Sequence, residues 1–255
     1  MTKNKISLLL LTKNESHHIQ TNFSWLKECP VIDEVVVVDD NSTDDTINQV
    51  KKLSTPNLQI DIYHRSLDSD FSAQREFGLS KTKNDWVLWL DPDETPQKDF
   101  IQFLNNFKFD KPVAFKRLDV FLGHTLNHGE TSNQYFLRLF NKTGGKFIRP
   151  VHEVWNSTNP VVYSDIAILH HSHPTLKTFL QKINFYTDIR CRELYDQKVT
   201  TNLFQIVFYP TAKFIQNYFF RLGFLDSTPG IIMALGMSFH SFLVRAKLWH
   251  LYQQS

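Results

Sequence analysis

Cysteine is nearly absent: the 255-residue chain has two, Cys29 and Cys191. Two thiols cannot build a disulfide framework, and such sparing use suits a reducing compartment. Glycine is scarce too. Eight residues in the whole chain exclude collagen-like and glycine-linker architectures. Neither a Gly-x-Gly-x-x-Gly fingerprint nor a Walker loop occurs, so a glycine-rich turn of backbone amides is not the way this chain cradles phosphate. There is no internal repeat and no low-complexity linker. The apolar run at residues 6–11 is too short for a secretory h-region and passes directly into Lys13, Asn14 and Glu15. A cytoplasmic protein is the expectation.

What is present suits a folded enzyme-sized chain. Hydrophobic residues make up 42% and charged residues 21%, enough for one large domain, or one domain with an appendage, around a sizeable core. The net charge of +2 conceals an asymmetry. Residues 1–170 hold 19 basic and 22 acidic side chains, whereas residues 171–255 hold nine basic and four acidic ones. A basic, aromatic-rich tail of this kind points to an anionic surface, membrane or nucleic acid.

The first 95 residues alternate strand and helix signals. Residues 6–11 and 35–38 are unbroken aliphatic runs, as in strands buried on both faces of a parallel sheet. Residues 58–63 and 86–90 read as further strands. Helical spacing of apolar side chains appears at 17–27, after Thr43 or Asp44 to about residue 53, and at 72–79. Strand, loop and helix in this rhythm predict a doubly wound α/β sheet. Beyond residue 100 the pattern changes to strands at 113–121 and 135–140. Six of the eleven histidines then fall between His124 and His173. Residues 172–175 look like a helix start with Pro174 in the first turn, leading into a helix at 176–195.

Three polar clusters fall where predicted strands end, which is where open α/β sheets bind ligands. They are Thr12-Lys13-Asn14-Glu15, Asp39-Asp40-Asn41-Ser42 and Asp91-Pro92-Asp93-Glu94. An Asp-Asp-Asn-Ser turn alone is an ordinary helix-capping loop, and an Asp-x-Asp alone is an ordinary turn. All three in this order are much harder to dismiss, and phosphates bound there would need a metal, because paired carboxylates are the hard oxygen ligands that Mg²⁺ or Mn²⁺ prefer.

These segments resemble glycosyltransferase family 2, whose members have the GT-A fold. The resemblance rests on residues 6–15 (Ile-Ser-Leu-Leu-Leu-Leu-Thr-Lys-Asn-Glu), on Val-Val-Val-Val-Asp-Asp-Asn-Ser-Thr-Asp at 35–44, on Ser72-Ala73-Gln74-Arg75, and on Trp-Val-Leu-Trp-Leu-Asp-Pro-Asp-Glu at 86–94. Val151-His152-Glu153, residues 168–170 and the tail from Tyr218 to Lys247 look like the branch that adds a hexose, typically glucose, to the lipopolysaccharide inner core. The resemblance implies a mostly parallel, doubly wound sheet with helices on both faces. It implies a GT-A domain over 1–175, with a nucleotide-binding half at about 1–95 and an acceptor half at about 96–175, and a helical C-terminal extension over 176–255.

It also implies roles. Thr12 and Asp40 line the base pocket of a UDP-sugar, with Asp40 accepting from the uracil imide. Asn14 and Glu15 belong to the same nucleotide-sugar loop. Arg75 lies near base and phosphates, Asp91 holds the ribose or donor sugar, and Asp93 coordinates Mg²⁺ or Mn²⁺. Pro92 takes the place of a small residue and stiffens the loop. Glu153 is the expected catalytic base of an inverting displacement, standing as His152-Glu153 where the family often has Glu-Asp. The acceptor is a glycan or glycolipid. Asp119 and Glu130 are less favoured bases.

Two features stay open at the level of sequence. His170, His171 and His173 lack the cysteine partners or His-x₃-His spacing of a zinc site, so packing, or one ring closing over a diphosphate or metal, are the readings left. Residues 231–244 are almost wholly apolar yet shorter than the ~20 residues of a spanning helix. Followed by Arg245, Lys247 and Trp249, they read either as a helix in the membrane interface, which places the protein on the inner face of the cytoplasmic membrane, or as a buried core or dimer helix. A nucleotidyltransferase-like enzyme is the alternative α/β reading, but it lacks its glycine-rich phosphate loop. A nucleic-acid binder is the non-enzymatic one, but the basic residues are scattered among apolar ones, and no nucleic-acid partner is expected.

Overall fold

The computed structural model describes residues 4–68, 70–132, 134–149 and 153–254. The chain forms two compact units, Met1–Arg117 with Gln134–His170, and Leu118–Asn133 with His171–Ser255. In the first unit, strand and helix alternate as β1 (Ile6–Thr12), α1 (Ser16–Phe23), β2 (Ile32–Asp39), α2 (Thr46–Lys51), β3 (Gln59–His64), α3 (Phe71–Lys81) and β4 (Trp86–Leu90). The four strands pair in parallel in the order β3-β2-β1-β4. Then come β5 (Glu94–Pro96), α4 (Lys98–Asn105), β6 (Val113–Phe121), β7 (His124–Thr125), β8 (Gln134–Asn141), β9 (Gly145–Ile148), β10 (Val154–Ser157) and β11 (Val162–His173).

The doubly wound pattern therefore governs the first 90 or so residues, and the sheet then changes character. It continues from β4 as β8-β6-β11-β5, with antiparallel pairing at β4/β8, β8/β6 and β11/β5. Strands β9 and β10 form a separate antiparallel pair. The aliphatic runs are explained by burial on both faces. Leu8, Leu10, Val35, Val37, Leu88 and Leu90 pack with Ile19 and Phe23 of α1, Val50 of α2 and Phe100 of α4. Their alternates Leu9, Val36, Val38, Val87 and Trp89 pack with Leu79 of α3 and with Phe140, Phe147 and Trp155. Period-two alternation thus serves two cores instead of one core and a wet face.

The second unit is mostly helical, with α5 (Leu176–Asp196), α6 (Leu203–Ile215) and α7 (Ser227–Gln254), and a π-helical turn at Gln216–Phe220 and a 3₁₀ turn at Gly223–Asp226 between α6 and α7. It includes the β6–β7 corner, where Asp226 accepts from the amides of Asn127 (3.2 Å) and His128 (2.8 Å). Its core joins Phe121 and Leu126 to Phe179, Ile183 and Met233. Helix α5 starts at Leu176, as the sequence suggested, but Pro174 does not lie in its first turn. Thr175 is the cap, in a reciprocal capping box with Thr178, and Pro174 precedes it. By length and composition, Gly223–Gln254 is apolar enough to cross a membrane. Parts of it are nevertheless buried inside the unit, at Met233, Ala234, Gly236, Val244 and Leu248.

Gly78 sets how closely α3 approaches the sheet. A Cβ there would lie 2.4 Å from Leu9 Cδ1 and 2.9 Å from Val38 Cγ2, both in buried side chains that have no room to retreat. Gly78→Ala is expected to destabilise the fold by about 1–3 kcal/mol through overpacking, measured by urea denaturation. Unchanged stability would mean that α3 does not rest on β1 and β2 at this distance.

Candidate active site

The carboxyl ends of β1, β2 and β4 carry the three polar clusters. At the first two ends, the buried Asp39 is the organiser. It accepts from Thr12 Oγ1 (3.1 Å) and from the Ser42 amide (2.9 Å), and lies 3.1 Å from His64 Nδ1. Its neighbour Asp40 turns outward, with one oxygen 2.7 Å from Lys13 Nζ and the other accepting from the Leu67 amide at 3.1 Å. The Lys13 hydrogen bond holds the Asp40 carboxyl below its ordinary range. The Asp40 amide donates to the Thr12 carbonyl at 2.9 Å, so the two expected base-pocket residues are joined through their backbone.

Asn14 and Glu15 are used to clasp the loops. Asn14 sits at φ 56°, and its Oδ1 accepts from the Thr43 amide at 2.8 Å while its own amide donates to Ser42 Oγ at 2.9 Å. The Glu15 amide donates to Thr46 Oγ1, and its carboxylate lies 2.7 Å from His18 Nδ1. Both residues fasten the turn after β1 to the turn after β2.

The end of β4 is built around two buried arginines. Arg75, on α3, donates from Nη2 to Asp91 Oδ1 and from Nε to Glu153 Oε1, each at 2.6 Å. Arg138, on β8, donates from Nη2 to Asp91 Oδ2 at 3.1 Å and pairs with Glu94 Oε1. The guanidinium carbons of Arg75 and Arg138 lie 3.9 and 3.7 Å from the centroid of the Trp89 ring. Two guanidiniums that close to one centroid have no room on the same side, so each takes one face of the indole. Burial by itself would raise the Asp91 pKa, but the Arg75 and Arg138 charges overcome it and hold the carboxyl well below its usual range. For Glu94 burial wins over Arg138, and the neighbouring Asp91 charge adds to the upward push. The buried Arg138 is itself held firmly protonated, its desolvation outweighed by Glu94 and Asp91.

Asp93 lies two positions beyond Asp91, beside the imidazole of His170. Its Oδ2 lies 3.3 Å from His170 Nε2. Pro92 between the two aspartates is pinned from α1, where the buried Asn22 donates from Nδ2 to its carbonyl at 2.8 Å. Among the described residues no three His, Cys, Asp or Glu side chains converge as a ready metal cage. The partly exposed Asp93 carboxylate nevertheless fits a hard divalent cation that completes its shell with phosphate oxygens and water, the mode in which Mg²⁺ is usually bound, with the His170 imidazole a softer neighbour.

Arg75, Asp91 and Glu153 are thus joined directly, with Asp93 two positions along the same loop, while Thr12 and Asp40 form a second group on β1 and β2. Val151 and His152, expected beside Glu153, lie outside the described residues. His170 meets Asp93, whereas His173 packs between Phe121 and Phe179 in the helical unit, at ring-centroid distances of 6.2 and 4.9 Å. Arg138 and Trp89 were given no role by the sequence. One signal was available: Arg138 is flanked by Leu137 and Leu139 inside an apolar strand, and a cation placed so requires a buried anion.

The family model described as glycosyl transferase family 2 matches residues 7–163. An uncharacterized glycosyltransferase of Rickettsia prowazekii (strain Madrid E) is 28% identical over 96% of this chain and 86% of its own length. Among solved structures, the mannosyltransferase PcManGT from Pyrobaculum calidifontis, in complex with GDP-Man and Mn²⁺, aligns with a TM-score of 0.56 at 12% identity, covering all of this chain and 89% of that one. TarS 1–349 from S. aureus in complex with UDP-GlcNAc aligns with a TM-score of 0.49 at 15% identity, over 98% of this chain and 92% of that one.

Removing Arg138 leaves Glu94 buried with no cation and Asp91 with one in place of two. Arg138→Met is expected to cost about 3–5 kcal/mol in urea denaturation at neutral pH, the usual consequence of orphaning a buried charge. A loss under 1 kcal/mol would show that the pair is not desolvated.

Proposed function

The chain belongs to glycosyltransferase family 2, and on that premise we propose that it is an inverting, divalent-metal-dependent hexosyltransferase. In this reading it moves glucose from a UDP-sugar to a lipopolysaccharide-core or other cell-surface glycan. The observation that carries the reading is the bridge made by Arg75, which holds Asp91 and Glu153 at 2.6 Å each. A donor-side carboxylate and a candidate base from the far side of the chain are thereby fixed to one buried cation.

Roles follow from position. Thr12 and Asp40 receive the base, with the outward Asp40 carboxylate accepting from the uracil imide. Asn14 and Glu15 shape that pocket by tying its loops. Asp91, anchored by two arginines, accepts from the hydroxyls of the ribose or donor sugar. Asp93, with His170 beside it, would hold Mg²⁺ or Mn²⁺, which when bound offsets the charge of the diphosphate. Arg75 occupies Oε1 of Glu153, and Oε2 takes the proton of the acceptor hydroxyl. The acceptor oxygen bonds to the anomeric carbon as the bond from that carbon to the diphosphate oxygen breaks. The bonding pair leaves with UDP, and the new bond forms on the opposite face of the sugar. A lipid-carried acceptor sets this reaction at the cytoplasmic face of a membrane.

Two variants test the assignment. Glu153→Gln is expected to lower sugar transfer by about 10²–10⁴-fold while UDP-sugar affinity, measured by calorimetry, is kept. Normal transfer, or loss of donor binding, would remove the base role. Asp93→Asn is expected to abolish the Mn²⁺-dependent rise in melting temperature that UDP gives the parent. Full activity in excess EDTA would overturn the metal dependence.

A further inference from the structure

Helix α6 is turned inside out: none of its residues is buried, although it is one of the most apolar segments of the chain. Leu203, Phe204, Val207 and Phe208 are 76, 62, 59 and 57% exposed. At 100° per residue these four, with Thr211 and Ile215, fall within one arc of about 140°. The opposite side attaches the helix to its own unit. Ser238 Oγ of α7 donates to the Pro210 carbonyl at 2.7 Å, and Lys213 Nζ pairs with Glu130 at 2.6 Å. The outward apolar character continues through the turns that follow, with Phe219 55%, Phe220 80% and Leu225 54% exposed.

The neighbouring apolar helix is not the equivalent of this one. Sequence alone placed Arg245 and Lys247 of α7 at a lipid surface, but both are internal clamps. Lys247 Nζ donates to the Asn184 carbonyl (2.9 Å) and Thr187 Oγ1 (2.8 Å) and pairs with Asp188 (2.7 Å). The Arg245 guanidinium lies 4.1 Å from the Tyr209 ring centroid and reaches back to Ser241. Helices α5 and α7 expose large apolar side chains too, among them Phe185, Leu235 and Phe239, but Phe220 and Leu203, at 80 and 76%, are the most exposed large apolar side chains among the described residues, and both belong to α6 and the turn after it.

Charge selects the partner. Residues 197–225 contain no Asp or Glu, and Lys198 and Arg221 stand exposed before and after the apolar face. The helical unit as a whole carries nine basic against six acidic side chains. A second copy of the same face would set these cations against each other, whereas an anionic surface attracts them. With the π-helical turn that continues α6 to Phe220, the run has 18 residues and reaches about 27 Å, still short of a ~30 Å hydrocarbon core, and Lys213 within it pairs with Glu130, so the segment suits the plane of an interface and not a crossing.

We propose that α6 and the turns through Leu225 form a docking face for an anionic lipid bilayer, with the Phe and Leu side chains in the headgroup boundary and Lys198 and Arg221 beside lipid phosphates. The inference stands on the helical unit and goes beyond the transfer reaction.

The test is cosedimentation of the full chain with vesicles of phosphatidylcholine alone and with added phosphatidylglycerol. The parent is expected to bind the anionic vesicles, to bind neutral ones less, and to be released in part by high salt. Phe204→Ser with Phe208→Ser, and separately Phe220→Ser, are expected to lower binding roughly tenfold or more with melting temperature and UDP-sugar hydrolysis unchanged. A parent that stays in the supernatant overturns the proposal, as do variants that bind as well as the parent. Sedimentation velocity adds a third arm: a dimer that these substitutions split into monomers, without vesicle binding, assigns the face to a second copy. Hydrolysis and transfer are read on the same samples. Vesicle binding without transfer sinks the catalytic reading alone, and transfer without vesicle binding sinks the docking face alone.

Discussion

Two arginines stacked on one tryptophan hold the parallel half and the antiparallel half of the first unit together. Trp89 belongs to the last parallel strand, Arg75 to the helix before it and Arg138 to the first antiparallel strand beyond it. Their shared anion is Asp91, and each holds one further carboxylate, Glu153 or Glu94. Each also has a covered Nη1 with no hydrogen-bond acceptor among the described residues. A desolvated guanidinium over indole recovers about 2 kcal/mol, a partial offset for such an orphan donor. Buried ion pairs on average add little net stability over apolar packing. What this cluster adds is position: four carboxyl-bearing or cationic segments remote in sequence are fixed to a common centre within hydrogen-bond distances, the kind of preorganisation that a reacting pair of groups requires.

The helical unit follows a different logic. Its core is a modest aromatic and aliphatic cluster, and much of its apolar surface is left outside. Burying one Phe or Leu side chain that was exposed is worth about 1.5–3 kcal/mol, whereas a surface ion pair is worth 0–1 kcal/mol. On these magnitudes the aromatic side chains of α6 and its following turns outweigh Lys198 and Arg221 in any docking event. The cations decide which surface is met, and the apolar side chains decide how firmly.

The sequence was legible where the physics is local. Uninterrupted aliphatic runs gave β1, β2 and β4, because a strand buried on both faces has no polar alternates to confuse the pattern. Asp91 and Asp93 stood out because a strand so apolar ends so abruptly in carboxylates. Pairing direction was not legible in the same way. Strands β6 and β8 were visible as strands, but nothing local marks them as antiparallel, and the segment that turns between them pairs with β6 through β7 and also packs with the helices. Arg75 and Glu153 were reached by resemblance and Arg138 not at all, since a residue's ion partners 16 to 78 positions away leave no periodic trace. The tail misled for a related reason. Apolarity alone cannot distinguish α7, whose Lys247 bonds to α5 and whose Arg245 lies on Tyr209 of α6, from α6, none of whose residues is buried.

The two aspartates of Asp91-Pro92-Asp93 show how one short loop is divided between incompatible tasks. In the proposed function, the cation that meets the diphosphate is held by the carboxylate of this loop that is not bound to the arginines. Asp91 cannot serve, because two buried guanidiniums share its oxygens and hold it ionised as their counter-anion. Asp93 lies next to an imidazole. Keeping the two apart requires a loop that cannot fold Asp93 back onto the arginines. Pro92 fixes its own φ and restricts Asp91 before it. The Asn22 side chain anchors the Pro92 carbonyl from the other core, and the Glu94 amide closes the turn onto the Asp91 carbonyl at 3.0 Å. The loop's stiffness therefore separates a carboxylate bound to the arginines from one set beside an imidazole, where the proposed cation would be held.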